Sequence, residues 1–214
     1  GKDVKAVNDF NLLLEDGEIL ALLGSSGCGK TTTLRMIAGF ETASSGQIKI
    51  GEREVNNLKP ADRNVAMAFE GYALYPPLTV RDNIAFSLMR EKISKEKVDS
   101  KVVEVAELLE ITDILERYPP SISGGQQQRV SLARALVRDS DALLLDEPMS
   151  QLEPQLRAVL RARVKDYIQH NNKTVIFVTH DQTEAVALAD KIAVMEDGAL
   201  KQLASPYNIG AKPS

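Results

Sequence analysis

Short apolar runs recur along this chain, and each has the length of a buried β-strand. Runs of this kind, closed by a glycine or a polar residue, suit strands that are covered on both faces of a parallel sheet. They are EILALLG (18–24), VAMAF (65–69), ALLLD (142–146), TVIFVT (174–179) and KIAVM (191–195). The pattern predicts a strand at each of these positions.

Segments with helical periodicity lie between several of the apolar runs. After the first run, Leu34, Ile37 and Ala38 recur at helical spacing, and Gly39 is a suitable stop. A second helical segment is PQLRAVLRARVKDYIQH (154–170). This alternation predicts an α/β fold with a mainly parallel central sheet, to which we add an antiparallel β part near the N-terminus.

Between about 78 and 138 no strand-like run interrupts the sequence, and apolar residues follow steps of four, three and four. The residues at these steps are Val98, Val102, Val105 and Leu109. We expect an inserted helical lobe at about 78–138, within a core formed by 1–77 and 139–214. The whole of 1–214 is then a single domain.

Composition and charge narrow the possible functions. Hydrophobic residues make up 43% and charged residues 26% of the chain, which is typical of a globular protein. The net charge of -4 provides no general attraction for nucleic acid, so no nucleic-acid partner is expected. No apolar run approaches the roughly 20 residues of a membrane-spanning helix, and the first residues lack a secretory signal, so we expect a cytoplasmic protein. One cysteine and two histidines argue against a dedicated zinc site.

The segment GSSGCGKT (24–31) fits the phosphate-binding pattern G-x-x-x-x-G-K-[ST] in full, between a predicted strand and a predicted helix. In such a P-loop, glycines let successive N–H groups point at phosphate oxygens, and the helix N-terminus adds positive potential. Lys30 should lie near the β- and γ-phosphates of ATP, and the Thr31 hydroxyl should bind Mg2+. Cys28 is expected to be a small filler rather than a reactive thiol. The expected nucleotide-binding residues here are Gly24, Ser25, Ser26, Gly27, Cys28, Gly29, Lys30, Thr31 and Thr32.

Two adjacent carboxylates, Asp146 and Glu147, end the predicted strand at 142–146, and Pro148 follows them. Functional groups commonly collect at the carboxyl ends of parallel strands. Asp146 is the expected Mg2+ ligand, as the Walker B aspartate of a P-loop protein. Glu147 can orient the attacking water as general base.

A second glycine motif, SISGGQQQR, occupies 121–129. Ser123 can cap a helix running from about Gln126 to Arg138, and the two glycines after it allow close approach to an anion. A plain helix cap would explain the same residues without any ligand.

With the P-loop and the DE pair, this motif resembles the signature of ABC transporter ATPases, which usually reads L-S-G-G-Q and here has Ile122 in place of leucine. The resemblance implies a P-loop NTPase fold with a helical lobe and a two-fold dimer with two shared Mg-ATP sites. In each site the signature of one subunit closes over the nucleotide of the other, so the nucleotide-binding set extends to Ser123, Gly124, Gly125 and Gln126. The implied catalytic residues are Glu147, His180 and Lys30. Of these, His180 is added because it lies in the position of the family's H-loop.

Two positions depart from the family pattern. The Q-loop usually has glutamine, whereas this chain has Glu70, which we expect to remain close to the metal and to alter the Mg2+ dependence. The implied metal set is therefore Thr31, Asp146 and Glu70. The D-loop usually ends in aspartate, and here it ends in Glu153, which should shift a dimer contact.

The stretches YALYP-x-LTV, VTHDQTEA and SPYNI are similar to ATPases of carbohydrate and polyol importers. This similarity implies a second ATPase subunit, transmembrane permease subunits and, indirectly, a solute-binding protein as partners, and a peripheral location on the cytoplasmic face of the cell membrane. The segment 72–78 is the candidate contact with the permeases, although ordinary packing would also explain its aromatic residues. The transported solute, its direction, and homo- or heterodimerisation stay open.

The resemblance also implies an adenine-stacking aromatic before Gly1 and a β-rich regulatory domain after 204–214, and this sequence contains neither. One alternative is a soluble ABC ATPase of translation or DNA maintenance, but such proteins usually carry two ATPase units or a long coiled coil. A P-loop kinase would not need SGGQ. A binding-only subunit is opposed by Lys30, Asp146, Glu147 and His180.

Overall fold

The computed structural model describes residues 7–206. Three expectations therefore lie, in whole or in part, outside the described residues. They concern the start of the chain at Gly1, the SPYNI segment at 205–209 and the tail to Ser214.

All five apolar runs form strands, as predicted, and three further strands accompany them. The strands are β1 Ile19–Leu23, β2 Lys49–Ile50, β3 Arg53–Glu54, β4 Val65–Ala68, β5 Ala142–Asp146, β6 Val175–Thr179, β7 Lys191–Glu196 and β8 Ala199–Ala204. The sequence pattern missed β8, because this strand has no buried residue and so lacks the continuous apolar run of a central strand.

The large sheet has six strands in the order β4-β5-β6-β1-β7-β8. β1 pairs in parallel with both β6 and β7, and β5 pairs in parallel with β6, whereas β8 is antiparallel to β7. β2 and β3 form a separate antiparallel pair near the N-terminus. The expected mainly parallel sheet with an antiparallel part is confirmed.

The described residues also form six α-helices. They are α1 Lys30–Ala38, α2 Val80–Phe86, α3 Lys95–Leu108, α4 Gly124–Leu136, α5 Pro154–His170 and α6 Gln182–Leu188. α1 stops at Gly39, whose φ of 93° places it in the left-handed region. The segment between about 78 and 138 contains helices and no strand, as predicted.

The signature helix α4 begins earlier than the sequence suggested. Its first residue is Gly124, because the Ser123 hydroxyl accepts a hydrogen bond from the Gln126 N–H at 3.2 Å. The Gln126 side chain accepts one from the Ser123 N–H at 2.9 Å, which completes a capping box. The prediction of Ser123 as the cap is confirmed, and the start near Gln126 was too late because both glycines already lie in the helix.

The chain divides into two compact units. The first contains the described residues up to Met67 together with Ser140–Glu147 and those from Ile168 onward, and its core packs Leu20, Leu22 and Leu34 with Leu144. The second comprises Ala68–Asp139 and Pro148–Tyr167. It thus includes most of α5, which the sequence-based division assigned to the core. No helix among residues 7–206 is both long enough and apolar enough to cross a lipid bilayer.

Candidate functional site

Three neighbouring parallel strands of the first unit end at the same edge of the sheet. In the order β5-β6-β1, Asp146 is level with Val178, and Leu23 is level with Thr179. The residues that follow these strands therefore start from one edge: the loop 24–29 after β1, Glu147 after β5 and His180 after β6. The sheet register thus brings together side chains that are far apart in sequence.

The loop 24–29 joins β1 directly to the N-terminus of α1, as predicted. Gly29 precedes the first helical residue with a φ of 100°, a left-handed conformation that disfavours other residues. Cys28 is buried among the core side chains of the first unit, and its carbonyl accepts a hydrogen bond from the Gly198 N–H at 2.8 Å. Residues 25–27, by contrast, are exposed.

Lys30 is the first residue of α1 and is 6% exposed. Its ammonium group donates hydrogen bonds to the carbonyl oxygens of Gly24 and, at 2.9 Å, Ser25. An ammonium group has three N–H donors, and these contacts use two of them. The positive charge is therefore held at the inner side of the loop.

Thr31 and Asp146 form a polar pair at this edge. The Thr31 hydroxyl donates to the Asp146 carboxylate at 3.4 Å, and Asp146 is 4% exposed. Hard oxygen donors of this kind suit Mg2+, which usually takes one or two protein oxygens and completes its shell with water and phosphate. The donor set therefore fits Mg2+. In the part of the chain that the structure describes, no group of three or more His, Cys, Asp and Glu residues is placed to hold a metal ion.

Glu147 and His180 form another polar pair at this edge. His180 Nδ1 lies 2.9 Å from Glu147 Oε1, and the Glu147 side chain is 13% exposed whereas that of His180 is 67% exposed. The hydrogen bond to Glu147, followed by the charge of that carboxylate, raises the pKa of His180 above its ordinary value, while burial and the charge of Lys30 oppose the shift. A carboxylate can only accept, so Nδ1 carries the hydrogen.

Backbone geometry fixes the direction of this pair. Glu147 has a φ of 46°, in the left-handed region, and its N–H donates to the Val178 carbonyl at 3.0 Å. After β6, Asp181 caps α6 by accepting hydrogen bonds from the Thr183 and Glu184 N–H groups. Sequence reasoning missed the contact between Glu147 and His180 because it depends on the register of β5 with β6.

The signature residues lie in the second unit, at the N-terminus of α4. Ser123 and Gly124 are exposed, whereas Ile122 is 8% exposed. The isoleucine that replaces the family's leucine therefore still serves as an apolar anchor before the helix.

Glu70 and Glu153 also belong to the second unit, and both are exposed. Beside Glu70, burial and then the charge of that carboxylate raise the pKa of Tyr72. Tyr72 and Ala73 have φ values of 64° and 32°, a left-handed pair of non-glycine residues that the sequence did not reveal.

Two polar side chains hold the segment 72–75, which contains Tyr72 and Ala73, and sequence reasoning missed both. Asn83 is fully buried, accepts from the Tyr75 N–H at 2.8 Å and donates to the Tyr75 carbonyl at 3.1 Å. Arg134 donates to the Ala73 carbonyl at 2.8 Å, and its guanidinium lies 4.9 Å from the centre of the Tyr75 ring. The only available signal was a polar residue on the apolar face of a helix.

Comparison with known proteins connects this arrangement to a family. Residues 7–150 match the family model described as ABC transporter. A xylose/arabinose import ATP-binding protein of Haloferax volcanii is 50% identical over 213 residues, which are 99% of this chain and 56% of that protein. A trehalose/maltose import ATP-binding protein of Thermococcus litoralis is 50% identical over 218 residues, covering 99% of this chain and 59% of that protein. The chain thus spans somewhat more than half the length of these relatives.

A solved structure shares the fold. The chain superposes with a TM-score of 0.88 and 27% identity on the dimeric, post-hydrolysis ATP-binding cassette MJ0796 bound to ADP and Pi, covering 96% of this chain and 93% of that one. The family-model match, the similarity to the two import proteins and the likeness to the cassette structure all agree with the motifs at the strand ends. This chain therefore belongs to the ABC transporter family.

Proposed function

We propose that this chain is the ATP-binding and ATP-hydrolysing subunit of an ABC transporter that imports sugars or polyols. One observation carries the proposal: the P-loop, the Thr31–Asp146 pair and the Glu147–His180 pair follow three adjacent parallel strands. Phosphate, metal and water-orienting groups at one sheet edge are the parts that ATP hydrolysis needs.

In this proposal the P-loop binds the phosphates. The exposed loop residues 25–27 and the N-terminus of α1 attract the anionic groups, and Lys30 exchanges a carbonyl contact for a phosphate oxygen while keeping its charge in place. Thr31 and Asp146 would hold Mg2+, which supplies charge neutralisation at the phosphates when it is bound.

Glu147 and His180 act on the attacking water. Glu147 accepts a hydrogen bond from this water and takes its proton as the water oxygen bonds to the γ-phosphorus. The bond from that phosphorus to the bridging oxygen breaks, which yields ADP and inorganic phosphate. His180 holds the Glu147 carboxylate in place through its Nδ1–H, which donates to Oε1.

A second subunit would complete each site. The exposed N-terminus of α4, with Ser123 already satisfying its own helix through the capping box, is suited to close over the γ-phosphate of a partner's nucleotide. A two-fold pair then contains two identical or closely related sites. The dimeric form of the solved cassette MJ0796 supports this arrangement.

A patch in the second unit supports contact with permease subunits at the cytoplasmic face of the membrane. Tyr75, Phe86 and Met89 are 41%, 44% and 73% exposed, and a groove of about 390 Å³ lies between Leu78, Met89 and Val98. Exposed apolar area of this kind is typical of interaction surfaces. Its proposed occupant is an apolar side chain from a short cytoplasmic helix of a permease, which in turn receives solute from a binding protein.

The central experiment replaces Glu147 with Gln and measures phosphate release, ATP binding and oligomeric state. General-base catalysis contributes about 10²–10⁴-fold, so kcat should fall by at least about 100-fold while ATP binding persists and an ATP-dependent dimer accumulates. Glu52→Gln is the matched control, because it makes the same chemical change in an exposed turn between β2 and β3.

A Glu147→Gln variant that hydrolyses ATP at the wild-type rate would refute the role of Glu147. A wild-type chain without ATP turnover would refute the whole proposal. Co-purification from the source cells tests the transport role: permease subunits should accompany the wild-type chain and be lost with Met89→Asp, which should leave the ATPase rate of the isolated chain unchanged.

A further inference from the structure

Gln128 is a buried amide that joins the signature helix to another segment of the second unit. Its side chain is 3% exposed, donates to the Ser150 hydroxyl at 3.0 Å and accepts from the Gln151 N–H at 2.8 Å. A buried amide bound on both its donor and its acceptor side fixes its partners in direction as well as in distance.

The backbone of the same segment lies close to the first turn of α4. A Cβ atom built on Gly125 would lie 3.1 Å from the Gln151 carbonyl oxygen and 3.6 Å from the Leu152 side chain. Gly125 and Gln128 are three residues apart and so share one helical face. The N-terminal turn of α4, which Ser123 caps, therefore packs against Gln151, and the hydrogen bonds of Gln128 hold it there.

This segment leads back along the chain to the catalytic strand end. Met149 and Leu152 are 1% and 4% exposed, and the Leu152 N–H donates to the Met149 carbonyl at 3.2 Å, so the segment is a turn anchored by two buried apolar side chains, with Gln151 exposed between them. Ser150 follows Glu147 by three residues in the sequence. A displacement of the turn therefore acts on Glu147 through a short, anchored stretch of backbone.

We propose that Gln128 is a positioning residue that couples Ser123 to Glu147 of the same chain. The inference rests on the proposed function, in which Ser123 faces the partner's ATP and Glu147 acts on the chain's own ATP. Closure of α4 over one nucleotide then moves the 148–152 turn and sets the Glu147 carboxylate at the other. The contacts of Gln128 with Ser150 and Gln151, which we call the tie, make hydrolysis at each site sensitive to occupation of the other.

The test compares Gln128→Ala with Tyr167→Phe. Tyr167 donates to the Leu136 carbonyl at 3.3 Å, so its replacement also removes a hydrogen bond to α4 but leaves the 148–152 turn untouched. We expect Gln128→Ala to lower kcat by about tenfold with an unchanged KM for ATP, and to reduce the Hill coefficient to about 1. Tyr167→Phe should match the wild type in all three quantities.

A double-mutant cycle with Ser150→Ala separates the tie from general destabilisation, since Ser150→Ala removes a single contact and keeps the turn. If the two side chains act as a unit, the double variant should have about the same kcat as Gln128→Ala alone. Multiplicative losses in kcat, or a Gln128→Ala variant with the kcat and Hill coefficient of Tyr167→Phe, would overturn the inference.

Hydrogen exchange distinguishes failure of this inference from failure of the proposed function. The Gln151 amide should exchange at least about tenfold faster in Gln128→Ala than in the wild type, whether or not the chain hydrolyses ATP. Unchanged exchange would refute the tie itself. Faster exchange in Gln128→Ala, combined with a wild-type chain that lacks ATP turnover, would refute the proposed function and leave the tie standing.

Discussion

The imidazole of His180 and the carboxylate of Glu147 meet at 2.9 Å, although 33 positions separate them in sequence. Each follows one of two adjacent parallel strands, and the Glu147 N–H is also bound to the carbonyl of Val178 on the neighbouring strand. The carboxylate is thus held by backbone and side chain together. The contact raises the pKa of His180 above its ordinary value, so a titration of the imidazole measures it.

Titration of His180 should reveal this contact directly. The hydrogen bond and the charge of Glu147 raise the pKa of His180 above 6.5, so Glu147→Gln should lower that pKa toward 6.5, because the charge is lost and the amide oxygen is a weaker acceptor than the carboxylate. NMR of the imidazole protons against pH measures the shift, and a His180→Gln spectrum assigns the signal. An unchanged pKa in Glu147→Gln would contradict the contact.

The same shift has a defined sign in stability. Since the folded pKa lies above the unfolded value, the pair stabilises the protein fully below about pH 6.5 and loses this contribution as pH rises through the folded pKa. The difference in Tm between the wild type and His180→Gln should therefore be largest near pH 6 and shrink toward pH 8. Salt should diminish it, because the His180 side chain is 67% exposed.

Thr31→Val tests the metal pair. Valine keeps the shape of threonine but removes the hydroxyl that lies 3.4 Å from Asp146, so the Mg2+ concentration for half-maximal ATPase activity should rise by about tenfold or more. A Mg2+ titration of the ATPase rate measures this effect. Thr31→Ser retains the hydroxyl and should titrate like the wild type; equal curves for all three proteins would contradict the role of Thr31.

Glu70→Gln tests the unusual Q-loop residue. If Glu70 acts near the metal, its replacement should raise the Mg2+ concentration for half-maximal activity by about threefold, because a negatively charged oxygen near the cation is lost. The control is again Glu52→Gln in an exposed turn. Superimposable Mg2+ titrations of Glu70→Gln and the wild type would exclude a metal-related role.

Asn83→Ala should be strongly destabilising. The fully buried amide bonds the backbone of Tyr75 in both directions and also donates to the carbonyls of Leu78 and Thr79, each at 3.0 Å. Leaving these groups unpaired should lower the free energy of unfolding by about 3 kcal/mol. Urea unfolding measures the change. Asn57→Ala, at an exposed position, should change it by less than about 0.5 kcal/mol, and similar effects for both variants would contradict the prediction.

Much of the fold could be predicted because local signals were strong. Continuous apolar runs marked the central strands, and the helix at 154–170 has the predicted bounds. The edge strand β8 was missed since its side chains are only partly buried, and the start of α4 was misplaced since its first turn contains two glycines. At β8 the pairing with β7 outweighs local propensity, and at α4 the capping box of Ser123 and Gln126 does.

The sequence by itself determined the chemistry available to this protein: a P-loop ending in Lys30 and Thr31, the acidic pair Asp146 and Glu147, and a serine-capped glycine motif. These are local patterns whose residue types and spacing carry their meaning. Only the tertiary structure decided which groups meet. The register of β5, β6 and β1 joins Thr31 to Asp146 and Glu147 to His180, and packing within the second unit joins Gln128 to Gln151. Contacts between distant residues depend on strand order and burial, which no local pattern encodes.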